Sequence, residues 1–238
     1  AKLSEYVAGT TEVTVTVTPP ATPSECTIIV EVTHGVNSAT DQIKAKTSSD
    51  SYWAEYQAGF DIKIGDVVIN KFDYPDAKLL QDGETVPATG VYFIADGATV
   101  KKSGPVTDLV LIAERKDNKY SSKISTTGNI SLGNLAEGIG FLCKGVSLSS
   151  EGTSSVYWFN LSGNIIERLY FDHCRIEFMV DKNFSNFNNA KSGIKNLLIE
   201  SCHIAIPAQQ AKEDRTALFL RYDQGQYGNM TIRNNCLL

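Results

Sequence analysis

The sequence predicts an all-β fold of stacked coils, and three observations predict it. The segment Leu169-Tyr-Phe-Asp-His-Cys-Arg-Ile176 returns as Leu197-Leu-Ile-Glu-Ser-Cys-His-Ile204 and, more loosely, as Met230-Thr-Ile-Arg-Asn-Asn-Cys-Leu237, with an earlier copy at Phe141-Leu-Cys-Lys-Gly-Val-Ser-Leu148. Counted at the sixth position, Val146, Cys174, Cys202 and Asn235 lie 28, 28 and 33 residues apart. Periods of this size mark supersecondary units that bury their apolar faces on one another. Within each copy the apolar residues recur at every second position, the period of a strand and not of a helix. Each copy then breaks that alternation at Gly145, His173, Ser201 or Asn234, a corner at which glycine costs nothing and asparagine little in the left-handed backbone region.

The elements follow in chain order. Residues 1 to 70 lack the repeat and form a β-rich N-terminal segment or cap. Glu12 to Thr18 alternates strictly, Pro19, Pro20 and Pro23 break it, and Cys26 to Val32 makes a second strand. Asp41 to Gln57, with Ile43, Tyr52, Trp53 and Tyr56, fits either a short helix or a loop. An open first coil is the edge such a segment would cover. Asp66–Asn70, Gly90–Ala95, Thr99–Val100 and Asp108–Ala113 are expected as the opening coils, so residues 71–238 form the stack. Between the repeat copies, Asn129–Leu132, Val156–Leu161 and Ala217–Tyr222 are expected to add one further strand per coil. The last coil stops just after its corner at Asn234-Asn-Cys-Leu-Leu238, so either a longer protein continues it or another chain covers that edge.

These repeats resemble the right-handed parallel β-helix proteins of the pectate-lyase-like superfamily over roughly residues 85 to 238. In style they are similar to secreted or surface β-helix proteins of gut bacteria with no assigned activity. The resemblance implies ladders of like residues along a solenoid. For enzymes of that fold it implies outward acidic residues that bind calcium and an Arg or Lys base for β-elimination from uronic acids. Tyr170-Phe-Asp-His-Cys174 is similar to a strand of pectate lyases, but the Asp-Gly segment and later Arg motif that should follow it do not. The paired Asp residues and Gly-His-Gly of polygalacturonases are absent as well.

Composition narrows the function. A formal charge of −5 with no Lys/Arg cluster argues against nucleic acid, which needs a basic stripe. No apolar run reaches the roughly 20 residues of a membrane span. The chain starts at Ala1 without Met or a signal segment, which suggests a mature or trimmed form. Five cysteines have no metal-ligand spacing. Cys174 and Cys202 stack about 4.8 Å apart across adjacent strands, within reach of a disulfide, though a buried ladder of free thiols is the preferred expectation. No phosphate loop, nucleophile elbow or His-Glu-x-x-His is present.

Since packing fixes the inward positions, function must use outward ones. Lys144, Asp172, Glu200 and Arg233 are expected in one outward column, and Ser147, Arg175, His203 and Cys236 in the next. Asp172 and Glu200 on adjacent rungs could perturb each other or share a cation, so with Arg175 and His203 they are the residues a lyase or hydrolase would use, with calcium as its cofactor. Alternating charge along a column is equally the pattern of cross-strand pairing. Trp158, Phe219 and Arg221 are expected to face out and to stack on sugar rings, beside an Asn-rich loop at 181–193. The leading expectation is an extracellular or surface-attached protein that binds a polysaccharide along an elongated face without catalysis and needs no cofactor. The competing expectations are a polysaccharide lyase or hydrolase, and a structural or adhesin module that self-associates through its C-terminal edge.

Overall fold

In the computed structural model the described residues are 2–3, 15–16, 22, 24–34, 36–46, 49–126, 128, 130–133, 137–150, 157–161, 163–177, 183–187, 190–205, 221–222 and 226–237. The chain divides into two compact units, Ala1–Ser49 and Asp50–Leu238. In the first, Lys2–Leu3 pairs antiparallel with Val15–Thr16, and Glu25–His34 pairs antiparallel with Asn37–Lys46 in unbroken register. The strand expected at Cys26 to Val32 is therefore present. Part of the stretch expected as helix or loop, Asp41–Lys46, is its partner strand, because ten residues of cross-strand pairing override weak local propensity.

The second unit is built on three parallel sheets. Sheet one takes Lys78–Leu80, Gly90–Ile94, Leu109–Ala113, Phe141–Lys144, Ile165–Asp172, Gly193–Glu200 and Gln226–Arg233 in that spatial order. Sheet two takes Thr99–Lys101, Lys123–Thr126, Ser147–Ser150, Arg175–Glu177, His203–Ala205 and Cys236–Leu237. Sheet three takes Gly104–Val106, Ile130–Leu132, Tyr157–Asn160, Asn183–Phe187 and Arg221–Tyr222. Each repeat gives one strand to each sheet in turn, and every strand pairs in parallel with its counterpart one repeat later. The expected third strands are present at Ile130–Leu132, Tyr157–Asn160 and Arg221–Tyr222, with Asn129, Val156 and 217–220 outside the described residues. So is one that was expected as loop: Asn183–Phe187 pairs with Tyr157–Asn160.

One core joins the three sheets. Leu111, Phe141 and Phe171 of sheet one, Ile124 and Ile176 of sheet two, and Ile130 and Phe159 of sheet three are all fully buried in it. Phe141 lies 5.1 Å from Phe159 and 6.1 Å from Phe171, centroid to centroid. Each such side chain contributes roughly 1.5–3 kcal/mol on burial. The corners are as the sequence indicates: φ is +72° at Gly145, +54° at His173 and Ser201, and +57° at Asn234. The residue after each corner turns inward, and Val146, Cys174 and Cys202 are fully buried. Cys143, Cys174 and Cys202 are free buried thiols and Cys236 is a free exposed one.

Sheet one is covered on its outer face as well. Ser51 caps a short helix, Tyr52–Gln57, by accepting from the Ala54 amide at 3.1 Å. An antiparallel hairpin follows, Ile62–Ile64 with Val67–Ile69. Tyr56, Ile62, Ile64 and Ile69 form a second core with Val91, Phe93, Val110, Ile112, Leu142, Tyr170 and Leu198. Residues 50 to 70, grouped by the sequence with the N-terminal segment, thus pack on the sheets, and Val67–Ile69 belongs to this hairpin and not to an opening coil. The stack itself begins with Lys78–Leu80, which lies on the free side of Gly90–Ile94.

Candidate functional site

Two outward columns of sheet one change character along the stack. The first runs Val91, Val110, Leu142, Tyr170, Leu198, Thr231, and the second Phe93, Ile112, Lys144, Asp172, Glu200, Arg233. The helix and hairpin cover the apolar end. At the polar end an open groove of about 650 Å³ remains, lined among others by Asp66, Tyr170, Asp172, Asn196, Glu200 and Arg233.

The hairpin tip forms one wall. Gly65 turns there with φ +60°, and a Cβ on it would meet the Tyr170 ring at 2.8 Å. Beside it Asp66 accepts from the Tyr170 hydroxyl at 2.7 Å and from Arg168 Nη2 at 3.1 Å. Burial pushes the Asp66 carboxyl up, but these hydrogen bonds outweigh it and hold the group below its ordinary value. Burial, joined by the same contact, pushes the Tyr170 phenol up to about 12. The floor carries a polar ladder in which Asn229 Nδ2 donates to Asn196 Oδ1 at 3.0 Å and Asn196 Nδ2 donates to the Glu167 carbonyl at 3.2 Å.

The expected charge column is present as adjacent rungs. Asp172 is buried and is bound by the Lys144 ammonium and by His173 Nδ1. Glu200 is gripped by Arg233 through Nε at 2.8 Å and Nη2 at 3.0 Å. The second column is also present, as Ser147, Arg175, His203 and Cys236 in register on sheet two. Arg175 is paired with Glu177 at 2.8 Å. The four residues expected of an enzyme therefore divide between two sheets. Among the described residues, no three His, Cys, Asp or Glu are gathered as a metal site.

Trp158 lies on the strand Tyr157–Asn160 and Arg221 on Arg221–Tyr222, with side chains outside the described residues, as is the whole of Phe219. Phe159 and Leu161 are buried, as the alternation around Trp158 requires.

A second concavity, missed in the sequence, sits at the corner between sheets one and two. In the four later repeats two residues make this connection, whereas residues 114–122 make it between Leu109–Ala113 and Lys123–Thr126. That longer loop stands over the corner column and encloses about 280 Å³ with Tyr52, Gly145, His173, Ser201, His203 and Asn234. The signal available in the sequence was the spacing of the repeat, which lengthens from 28 to 32 residues between Leu109 and Phe141. A third concavity, of about 680 Å³, lies between Asn164, Lys191 and Gln226.

Compared with protein families, with curated proteins and with solved structures, the chain matches none. Among the described residues no helix is long and apolar enough to cross a membrane.

Proposed function

We propose that the three-sheet stack closes as a right-handed parallel β-helix of the pectate-lyase-like kind and that it binds a polysaccharide along the sheet-one groove, without cleaving it, outside the cell or at its surface. Right-handed connection is the rule for parallel strands joined across one sheet. The observation that carries the binding reading is the change of the outer face from covered apolar rungs to open polar ones at Asp172, Asn196, Glu200, Asn229 and Arg233. Rungs about 4.8 Å apart repeat donors and acceptors along a line, which suits a ligand that itself repeats. The amides of Asn196 and Asn229 can each donate and accept, as sugar hydroxyls do.

The pairing of Asp172, Glu200 and Arg175 speaks for binding over turnover. A calcium ion at Asp172 and Glu200 would have to displace Lys144 and Arg233, so these residues do not fit the cofactor of the lyase reading. The test is a panel of plant, host and microbial polysaccharides, scored for retention and product release in the same wells. Retention without products is expected, and released products would transfer the account to the lyase or hydrolase reading.

One observation favours a structural module as the second reading. Met230, Ile232 and Leu237 occupy the registers of buried Leu197, Ile199 and Ile204 yet are 45%, 52% and 72% exposed. A second copy stacked on that edge would give concentration-dependent dimers in sedimentation, and a strict monomer at all concentrations would dismiss it.

A further inference from the structure

The corner pocket has the features of a built site. Its loop is pinned at both ends and in the middle: the Lys116 amide donates to the Asp50 carbonyl at 2.7 Å, Asn118 Nδ2 donates to Asp96 Oδ1 at 2.7 Å, and Ser122 Oγ donates to the Ile94 carbonyl at 2.8 Å. Tyr120 is held at φ +66°, a conformation rare for a bulky side chain. Its ring is thereby brought 5.2 Å from that of His203. Among the described residues the titratable groups lining the pocket, apart from Tyr52 and Tyr120, are Arg115, Lys116, Lys119, His173 and His203; the carboxylates of Asp117, Glu55 and Asp172 lie beside it and hold Arg115, Lys116 and His173 in turn. A pocket of two tyrosines among bases fits an anionic sugar, with a ring face for the C–H groups and cations for the charge.

The kind of anion follows from which donors are engaged. Arg115, whose planar fork would match a carboxylate, already spends Nε and Nη2 on Asp117 at 2.8 and 2.6 Å. Lys119, His203, Ser201 and Asn234 line the pocket as single-point groups, and His173, whose Nδ1 is held by Asp172, adds its other ring nitrogen; separate donors of this kind suit a tetrahedral anion. We propose that the corner pocket binds a sugar unit carrying a tetrahedral ester, a sulfate ester in the first instance. This inference rests on the polysaccharide reading, since His173 lines both this pocket and the groove and would place the charged unit at the end of a chain lying on sheet one.

The three histidines, His34, His173 and His203, supply the test. In histidine-labelled full-length protein, glucose 6-sulfate should shift the ring resonances of His173 and His203, while those of His34, in the other compact unit, stay put. Lys119→Gln should weaken that binding roughly tenfold, the equivalent of one charge-assisted contact. Glucose 6-phosphate acting more strongly than the sulfate would reassign the ester. Equal effects of glucuronate or plain glucose, or no shift with any probe, would overturn the proposal. If polysaccharide is retained but the histidines stay silent, this inference alone fails. If the histidines respond but no polysaccharide is retained, the groove reading alone fails.

Discussion

Ser201 and Cys202 show at single-residue scale how the corner works. Ser201 sits at φ +54°, where an L side chain costs about 1–2 kcal/mol and a β-branched one more. Ser201→Val should lower stability by roughly 1–2 kcal/mol, while Ser201→Gly should be neutral or slightly stabilising in denaturant titrations. Cys202, next in the chain, is fully buried, its thiol donating to the Phe171 carbonyl at 3.4 Å. Cys202→Asp should cost several kcal/mol, because a buried charge without a partner cannot be solvated. An unchanged melting temperature would show that the thiol ladder is wrongly placed. Burial also pushes the Cys174 thiol well above its ordinary value, in keeping with an inert packing role. The corners were legible in the sequence because the break in alternation falls on small or polar residues. The partners of Asp172 were only half legible: register gives Lys144, whereas the His173 contact depends on the left-handed turn that folds its ring back.

The element that the sequence only half disclosed is the helix and hairpin of residues 52–69: the helix was one of two alternatives, and Val67–Ile69 was expected as a strand of an opening coil. Their apolar residues are dense, but a helix of six residues and strands of three are too short for a period to tell helix from strand. Their target was visible, however. Leu109–Ala113 is buried at every position, and an unbroken apolar run is what a parallel strand covered on both faces looks like. Asp66 fixes the hairpin to the sheet, and the sign of its pH dependence follows from its lowered folded value. Its stabilising contribution is complete above the unfolded carboxylate value of about 4 and is lost as pH falls through the folded value below that. The stability difference between wild type and Asp66→Asn should therefore be constant at neutral pH and shrink below about pH 4. A difference that persists into strong acid would exclude the Arg168 and Tyr170 contacts as its cause. Trp158 and Arg221 were placed on strands correctly by alternation.

Across the whole molecule, the second unit runs from rungs buried on both faces to an edge rung that is largely exposed. Stability in stacked repeats is a sum over neighbours, so protection should follow the same direction. Amides of Leu109–Ala113 and Phe141–Lys144 should exchange roughly 100-fold or more slowly than those of Gln226–Arg233, and uniform protection would contradict the gradient. Calcium should leave the melting temperature unchanged, since a ligand stabilises only the state it binds. The repeat, the three strands per coil and the charge column could all be read from the sequence. The groove could not, because it is defined by where a non-repeating element stops covering a repeating sheet. Its role is tested most directly by affinity electrophoresis of wild type and Asn196→Ala/Asn229→Ala protein in gels containing each polysaccharide that the panel retains. Retardation of the wild type, abolished in the variant with its fold intact and no product formed, is the predicted result. Equal retardation of both proteins, or depolymerisation of the gel polysaccharide, would contradict it.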